Sequence, residues 1–313
     1  MLRTVLNALL GLLLAACLGP EPSAADFVSE PRHLSADDPQ REELGEARVL
    51  GILELKAPGE RRFGGLSGLV LDGDRVTAIS DEGHWLRFDL RTDAEGRPLS
   101  ADGLTVGELG STDGTKKGGD AEEIVAVPDG YIVSFEQRHR LMLYANGLSA
   151  PARPLDPPPG LQRLPRNGGA EAVARLADGR LLVIGEEGGV GNASPAWIGG
   201  PGAWQAMTYP RHGDLHPSGA AALPDGGVLV LERGFSLFGG FAIRLVRVAA
   251  AELRPGNAIR GREIFQLRPP LLVDNYEGVA VRRRADGRVV AYLISDDNFS
   301  PLQATLLMAV LVP

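Results

Sequence analysis

The stretch GGDAEEIVAVPDGYIVSFEQ, residues 118–137, reads as a β-hairpin. Two apolar runs flank the turn sequence Pro128-Asp129-Gly130, with Glu122 and Glu123 before the first run and Glu136 after the second. Four more stretches follow the same plan: GGLSGLVLDGDRVTAISDE from Gly64, GGAEAVARLADGRLLVIGEE from Gly168, HPSGAAALPDGGVLVLERG from His216 and NYEGVAVRRRADGRVVAYLISDD from Asn275. In each, a Ser or Glu stands at the doorway to the first strand. The doorway residues are Ser67, Glu122, Glu171, Ser218 and Glu277, at intervals of 55, 49, 47 and 59 residues. A repeat of roughly 50 residues is the size of a propeller blade, longer than most solenoid repeats.

Each repeat has room for two more strands. The runs 85–90 and 104–109 fit the first, 141–145 and 150–155 the second, 196–200 and 204–209 the third, and 241–248 and 263–268 the fourth. The fifth has only 305–312 before the chain ends, and residues 48–56 (RVLGILELK) form a strand without a blade. An N-terminal strand that completes the last blade closes the ring and hides its edges. The expectation is all-β: a five-bladed β-propeller of four-stranded blades over residues 48–313. Six blades is the alternative left open by the long interval 91–118. Composition agrees, since 41 Gly, 23 Pro and only 5% aromatics suit many short strands joined by tight turns.

A net charge of −8 with no offsetting basic block excludes nonspecific binding to nucleic acid or to an anionic membrane surface. A cation is the more natural partner. Placed at the mouth of a central channel, the five doorways form a ring of three carboxylates and two hydroxyls. Carboxylates so close do not all ionise without a counter-charge, and Ca²⁺ takes six to eight oxygens, so Ser67, Glu122, Glu171, Ser218 and Glu277 are the expected ligands of an axial calcium. The alternative is a polar plug in which the glutamates bond backbone amides or arginines. Each doorway is expected level across its hairpin with an acid: 67 with 81, 122 with 136, 171 with 186, 218 with 232 and 277 with 296. The second ring, Asp81, Glu136, Glu186, Glu232 and Asp296, would lie farther from the axis, where a carboxylate acts as a general base, holds a second ion or binds a cationic group. By strand alternation Glu123 should face away from Glu122, toward the blade interior or a neighbour. His84 and His216 fall near the mouth without metal spacing.

The chain opens MLRTVLNALLGLLLAAC. Arg3 precedes an apolar run, Val5 to Ala16, too short to span a bilayer of ~30 Å at ~1.5 Å per helical residue. Residues 1–16 read as a signal peptide, and Leu14-Ala15-Ala16-Cys17 resembles the lipobox of bacterial lipoproteins. Cys17, the single cysteine, is the expected lipidation site, so no disulfide forms within the chain. Residues 17–47, rich in Pro and charge, are read as a flexible tether. This implies an exported protein on the periplasmic side of the cell envelope, membrane-bound through its lipid, and monomeric.

With these residues in hand, the chain resembles the phytase-like domain family described as having esterase-like activity. The resemblance rests on RFGGLSGLVLDGDRVTAISDEG, GDAEEIVAVPDGYIVSFE and NYEGVAV followed by LISDDNFSPLQATLL, within residues 62–308. The doorway order Ser, Glu, Glu, Ser, Glu is also similar to that of the five-bladed calcium-activated apyrase nucleotidases. That similarity implies calcium at the same five positions; the nucleotide-contacting loops of the apyrases are missing. The functions implied are a calcium-dependent hydrolase of ester or phosphoester bonds using an ion-bound water or, alternatively, a non-catalytic binding or assembly propeller with a structural calcium. Neither resemblance supplies a nucleophile, and Ser67 in GLSGL lies outside the strand-to-helix context of a nucleophile elbow.

Overall fold

A computed structural model describes residues 26–110 and 120–313. After β1 (Val28–Arg32), β2 (Glu43–Leu44) and β3 (Ala47–Lys56), the first blade is β4 (Leu66–Asp72), β5 (Arg75–Ser80), β6 (His84–Thr92) and β7 (Pro98–Glu108). The second is β8 (Ala121–Val127), β9 (Gly130–Phe135), β10 (Arg140–Tyr144) and β11 (Arg153–Leu155). The third is β12 (Ala170–Arg175), β13 (Leu181–Gly185), β14 (Ala193–Gly199) and β15 (Gln205–Pro210). The fourth is β16 (His216–Ala222), β17 (Val228–Ser236), β18 (Gly240–Val248) and β19 (Arg262–Leu267). The fifth takes β20 (Asn275–Arg283), β21 (Val289–Asp296) and β22 (Thr305–Val312), and β3 pairs antiparallel with β22 to complete it. The protein is thus a five-bladed β-propeller closed by its N-terminal region. Of the interval that left six blades open, residues 91–108 belong to the extended β6–β7 pair of the first blade.

The inner strands pack in sequence order, β4 to β8, β12, β16, β20 and back to β4. Neighbouring blades cover both faces of each middle strand, which is why runs such as TLLMAVLV in β22 are apolar almost throughout instead of alternating. Leu53, Leu69, Phe88 and Tyr292 fill the wedge between the first and fifth blades; Ile184, Tyr209, Val230 and Ile259 fill that between the third and fourth. Each fully buried Leu or Phe contributes about 1.5–3 kcal/mol.

The expected tether is shorter than residues 17–47. From Asp26 onward the chain belongs to the domain: β1 pairs with β3, Leu34 and Leu44 are buried, and Phe27 packs on Phe63 and Phe88. The stretch lacks strand periodicity because β1 is an edge strand with mostly exposed side chains, anchored by isolated apolar residues. The signal-peptide segment and Cys17 lie outside the described residues.

Each doorway is a β-bulge. The inner hairpin register skips between Leu66 and Gly68, Ala121 and Ile124, Ala170 and Ala172, Pro217 and Gly219, and Tyr276 and Gly278. Ser67, Glu122, Glu171, Ser218 and Glu277 are the residues left without a cross-strand partner, so the level pairing expected with the acids does not occur. A bulge inserts a residue and re-aims its side chain, which breaks alternation at that point. Glu123 shares its bulge with Glu122 and is carried across the axis: its carboxylate accepts from Ile124 N at 3.0 Å and from Ala220 N of the fourth blade at 3.1 Å. The expectation that it faces the blade interior or a neighbour is corrected by this bulge. The equivalent positions on the other blades are Gly68, Ala172, Gly219 and Gly278, and a Cβ on Gly68 would stand 2.6 Å from Glu123 Oε1. Glu123→Ala removes the acceptor of two buried amides and opens a void at the axis, at an expected cost of about 2–4 kcal/mol in denaturant-unfolding stability. Glu123→Gln, which keeps one acceptor oxygen and the volume, is expected to lose less.

Candidate functional site

The inner strands start, and the second strands end, at one end of the channel, and the chemistry collects there. Directly beyond the last paired residues stand Gly65 with Asp81, Asp120 with Glu136 and Gly169 with Glu186, each joined by a backbone hydrogen bond. His216 pairs with Arg233 and Asn275 with Asp296. The outer ring is therefore Asp81, Glu136, Glu186, Arg233 and Asp296. The fourth member is not the expected Glu232, which pairs with Pro217 one step inward. Glu232 is fully buried, accepts from Tyr209 Oη at 2.6 Å and is ion-paired to Arg244 at 2.9 Å. It braces the third blade against the fourth. The next residue, Arg233, turns to the mouth and brings the counter-charge that spacing alone did not reveal.

Arg233 lies 3.2 Å from Glu277 and 4.0 Å from Glu186. Burial works against its charge, but Glu277, Glu186, Glu171 and Glu122 together hold its pKa above the ordinary arginine value. One guanidinium does not balance the acids around it. Burial, and then the mutual repulsion of the carboxylates, pushes Glu122 and Glu171 well above the usual carboxylate range. Burial also raises Glu136. It lifts Glu186 to about 7 against the opposing pull of Arg233. On the opposite side, burial and then Glu277 raise Asp296 to about 8 and Asp81 to about 6.

Ligand oxygens of Glu122, Glu136 and Glu171 lie within 4.8 Å of one another. Glu171 is close enough to both others for carboxyl-to-carboxylate hydrogen bonds, and such a contact needs a proton or a cation between the oxygens. Glu171 Oε1 is buried without a hydrogen-bond partner. An all-oxygen donor set with an orphaned carboxylate oxygen fits a hard divalent cation such as calcium. The convergent set thus takes two doorways and one outer acid. The other doorways are engaged differently: Ser67 Oγ donates to Gly65 O at 3.5 Å, Ser218 Oγ donates to Tyr276 O at 3.3 Å, and Glu277 accepts from Asn275 Nδ2 at 2.7 Å.

Of the cationic flank, sequence reasoning placed His84 and His216 near the mouth and missed Arg211. Arg211 donates to His216 Nδ1 at 3.2 Å beside Arg233, and burial followed by Arg211 lowers the His216 pKa, favouring a neutral ring. His139 is buried next to Gly169 and donates through Nε2 to Pro165 O at 2.9 Å. His84 lies near the Arg62–Glu60 pair; burial and then Arg62 lower its pKa. The rim is strained: Asp120, Gln137, Asn298 and Phe299 all have positive φ, each costing on the order of 1 kcal/mol or more. All four flank the acids, and Gly65, at φ +62, leaves no space for a Cβ beside Asp81 Oδ1.

The fold and this mouth define the class: a five-bladed propeller with buried carboxylates collected at one end of its axis. Within that class, a family model described as "Esterase-like activity of phytase" matches residues 61–299, and the chain belongs to this phytase-like family. No curated protein matches the chain. Among solved structures, it is similar to an α-L-arabinofuranosidase from Podospora anserina in complex with cellotriose, at 12% identity and TM-score 0.52, over 86% of this chain and 96% of that one. It is also similar to the PQQ-bound aldose sugar dehydrogenase from Streptomyces coelicolor, at 15% identity and TM-score 0.45, over 94% and 100% of the two chains. At these identities the likeness is one of fold.

The raised carboxyl groups fix the sign of the pH dependence. An acid whose folded pKa lies above its unfolded value stabilises the fold below the unfolded pKa, and that stability is lost as pH rises through the folded pKa. Chelator-treated protein is therefore expected to lose thermal stability between about pH 4 and pH 8, from the unfolded-state pKa of Asp81, Glu186 and Asp296 up to their folded values, on the order of 5 °C in melting temperature. Added calcium should remove most of that loss, and melts across the pH range with and without it provide the check.

Proposed function

We propose that this protein is a calcium-dependent hydrolase of ester or phosphoester bonds, exported and held at a membrane by a lipid on Cys17. The observation that carries the reading is the convergence of Glu122, Glu136 and Glu171 around an unpartnered buried carboxylate oxygen. These three would hold the ion, with the remaining doorways, Ser67, Ser218 and Glu277, completing the surrounding oxygen shell. When bound, such a cation supplies positive charge to polarise an ester oxygen and to make water more acidic.

The chain's own residues supply the other requirements. Glu186, held at about 7, is poised to take a proton from water near neutral pH, whereas a fully solvated glutamate is too weak a base. Glu136, Asp81 and Asp296 are the other mouth carboxylates able to accept a proton. Arg233 and Arg211 bring the fixed positive charge that an anionic phosphoryl or carboxyl group needs, and the neutral His216 beside them can donate or accept a hydrogen bond. The family description, esterase-like activity of phytase, supports the same reaction class.

Metal analysis of the purified protein followed by assays on phosphomonoester, phytate, nucleotide and carboxyl-ester substrates, with and without chelator, tests the reading. Calcium should co-purify, and chelation should abolish turnover of one substrate class. Glu171→Gln should weaken calcium binding by about tenfold or more. Glu186→Gln should keep calcium and lower kcat by about 100-fold. Retained calcium with no turnover of any class would make the ion structural and the protein a binding module. Lipidation is tested separately by mass spectrometry of the N-terminal peptide: a diacylglycerol-modified Cys17 is expected, and Cys17→Ser should release the protein from the membrane fraction.

A further inference from the structure

The large hydrophobic side chains that this fold exposes are not spread evenly. Among the described residues six of them sit on, or at the strand end next to, the three loops that leave the second strands of consecutive blades: Val190 in the third, Phe235 near the end of β17 with Leu237 and Phe238 in the fourth, and Phe299 and Leu302 in the fifth. Four are almost bare, with Val190 95%, Leu237 88%, Phe238 104% and Leu302 93% exposed. These loops leave the strand ends that carry Glu186, Arg233 and Asp296, so the apolar tips form an arc along one side of the mouth. Among the described residues, the opposite end of the propeller exposes only Leu99 of the large hydrophobic side chains, next to the strand end that pairs Thr92 with Pro98.

The tips are also free of charge. Residues 188–192 (GGVGN), 234–241 (GFSLFGGF) and 298–304 (NFSPLQA) contain no Asp, Glu, Lys or Arg, in a chain of which 23% is charged. A partner recognised by charge would find nothing there to read. A lipid surface without net charge is bound through the apolar area buried in it, which these tips offer without needing a charge beside them.

The described part of the chain begins at this same end. In the β1–β3 pairing Val28 stands opposite Lys56, the end of β3 from which the chain runs on to the first doorway, and Val28 is itself exposed. Eight residues, 18–25, lie between Cys17 and Asp26, so even fully extended the chain reaches at most about 30 Å. The proposed lipid on Cys17 is thus tied within that length of chain to Asp26, at the mouth end.

We infer that the crown of tips at 190, 235–238 and 299–302 docks into an uncharged, zwitterionic lipid surface, so that the acidic mouth faces the bilayer. This orientation depends on neither calcium nor turnover, and it fails independently of both.

Full-length protein reconstituted with phosphatidylcholine vesicles carrying brominated acyl chains tests it. Phe238→Trp and Leu302→Trp should each add a fluorescence that the bromolipid quenches by more than half, while Leu99→Trp, at the opposite end, should add one that is not quenched. Circular dichroism of these exposed-site variants should match that of the unsubstituted protein. Unquenched tips on vesicle-bound protein, equal quenching at position 99, or no vesicle association would each overturn the inference. A concentration-dependent dimer in sedimentation that Phe238→Asp abolishes would reassign the crown to contact with a second copy of the chain, and would overturn it as well.

Discussion

Five strands that converge on one axis leave almost no space between their backbones, and the site follows from that crowding. Next to each doorway the axis admits Gly68, Ala172, Gly219 and Gly278, and only one long side chain, Glu123. A regular strand would aim alternate side chains into this space, where they do not fit. The bulge at each doorway relieves the conflict by adding a residue whose side chain is turned toward the open end. The same irregularity that lets the blades approach the axis gathers the carboxylates at its mouth.

Gathering them creates an electrostatic debt that the protein only partly settles. Arg233 engages Glu277 and approaches Glu186, while the cluster of Glu122, Glu136 and Glu171 is left with shared protons or an added cation as its means of compensation. Elsewhere the fold resolves a buried acid fully: Glu232, with Tyr209 and Arg244, lacks neither a donor nor a counter-charge. The contrast separates a carboxylate built to hold two blades together from carboxylates left without full compensation. The positive φ angles of Asp120, Gln137, Asn298 and Phe299 lie on the uncompensated side of that division, where strain is tolerated because the surrounding strands enforce it.

The five-fold plan was legible in the sequence because its marks are local. Asp-Gly turns, apolar runs on either side and a repeat near 50 residues all survive without tertiary information, and the unpartnered strand before the first repeat pointed to the closure by β3. The ring membership was legible only in part. A bulge leaves no signature in hairpin length, so the symmetry of 218 about its turn pointed to Glu232 when the residue at the mouth is Arg233. Glu123 was misdirected for the same reason, since alternation ceases to hold at a bulge. Residues 26–47 hid their structure because an edge strand shows one neighbour and much solvent, and the few side chains that fasten it, Phe27, Leu34 and Leu44, are too far apart to form a pattern.

Glu123 also sets the shape of the space. By reaching from the second blade to the amide of Ala220 on the fourth, beside Gly68 of the first, it stoppers the channel just below the carboxylate cluster. Among the described residues, what looks from its symmetry like a tunnel is crossed at this level by a side chain and its hydrogen bonds. A ligand of the carboxylate cluster would then arrive and depart at the mouth, past the rim loops, rather than flow along the axis.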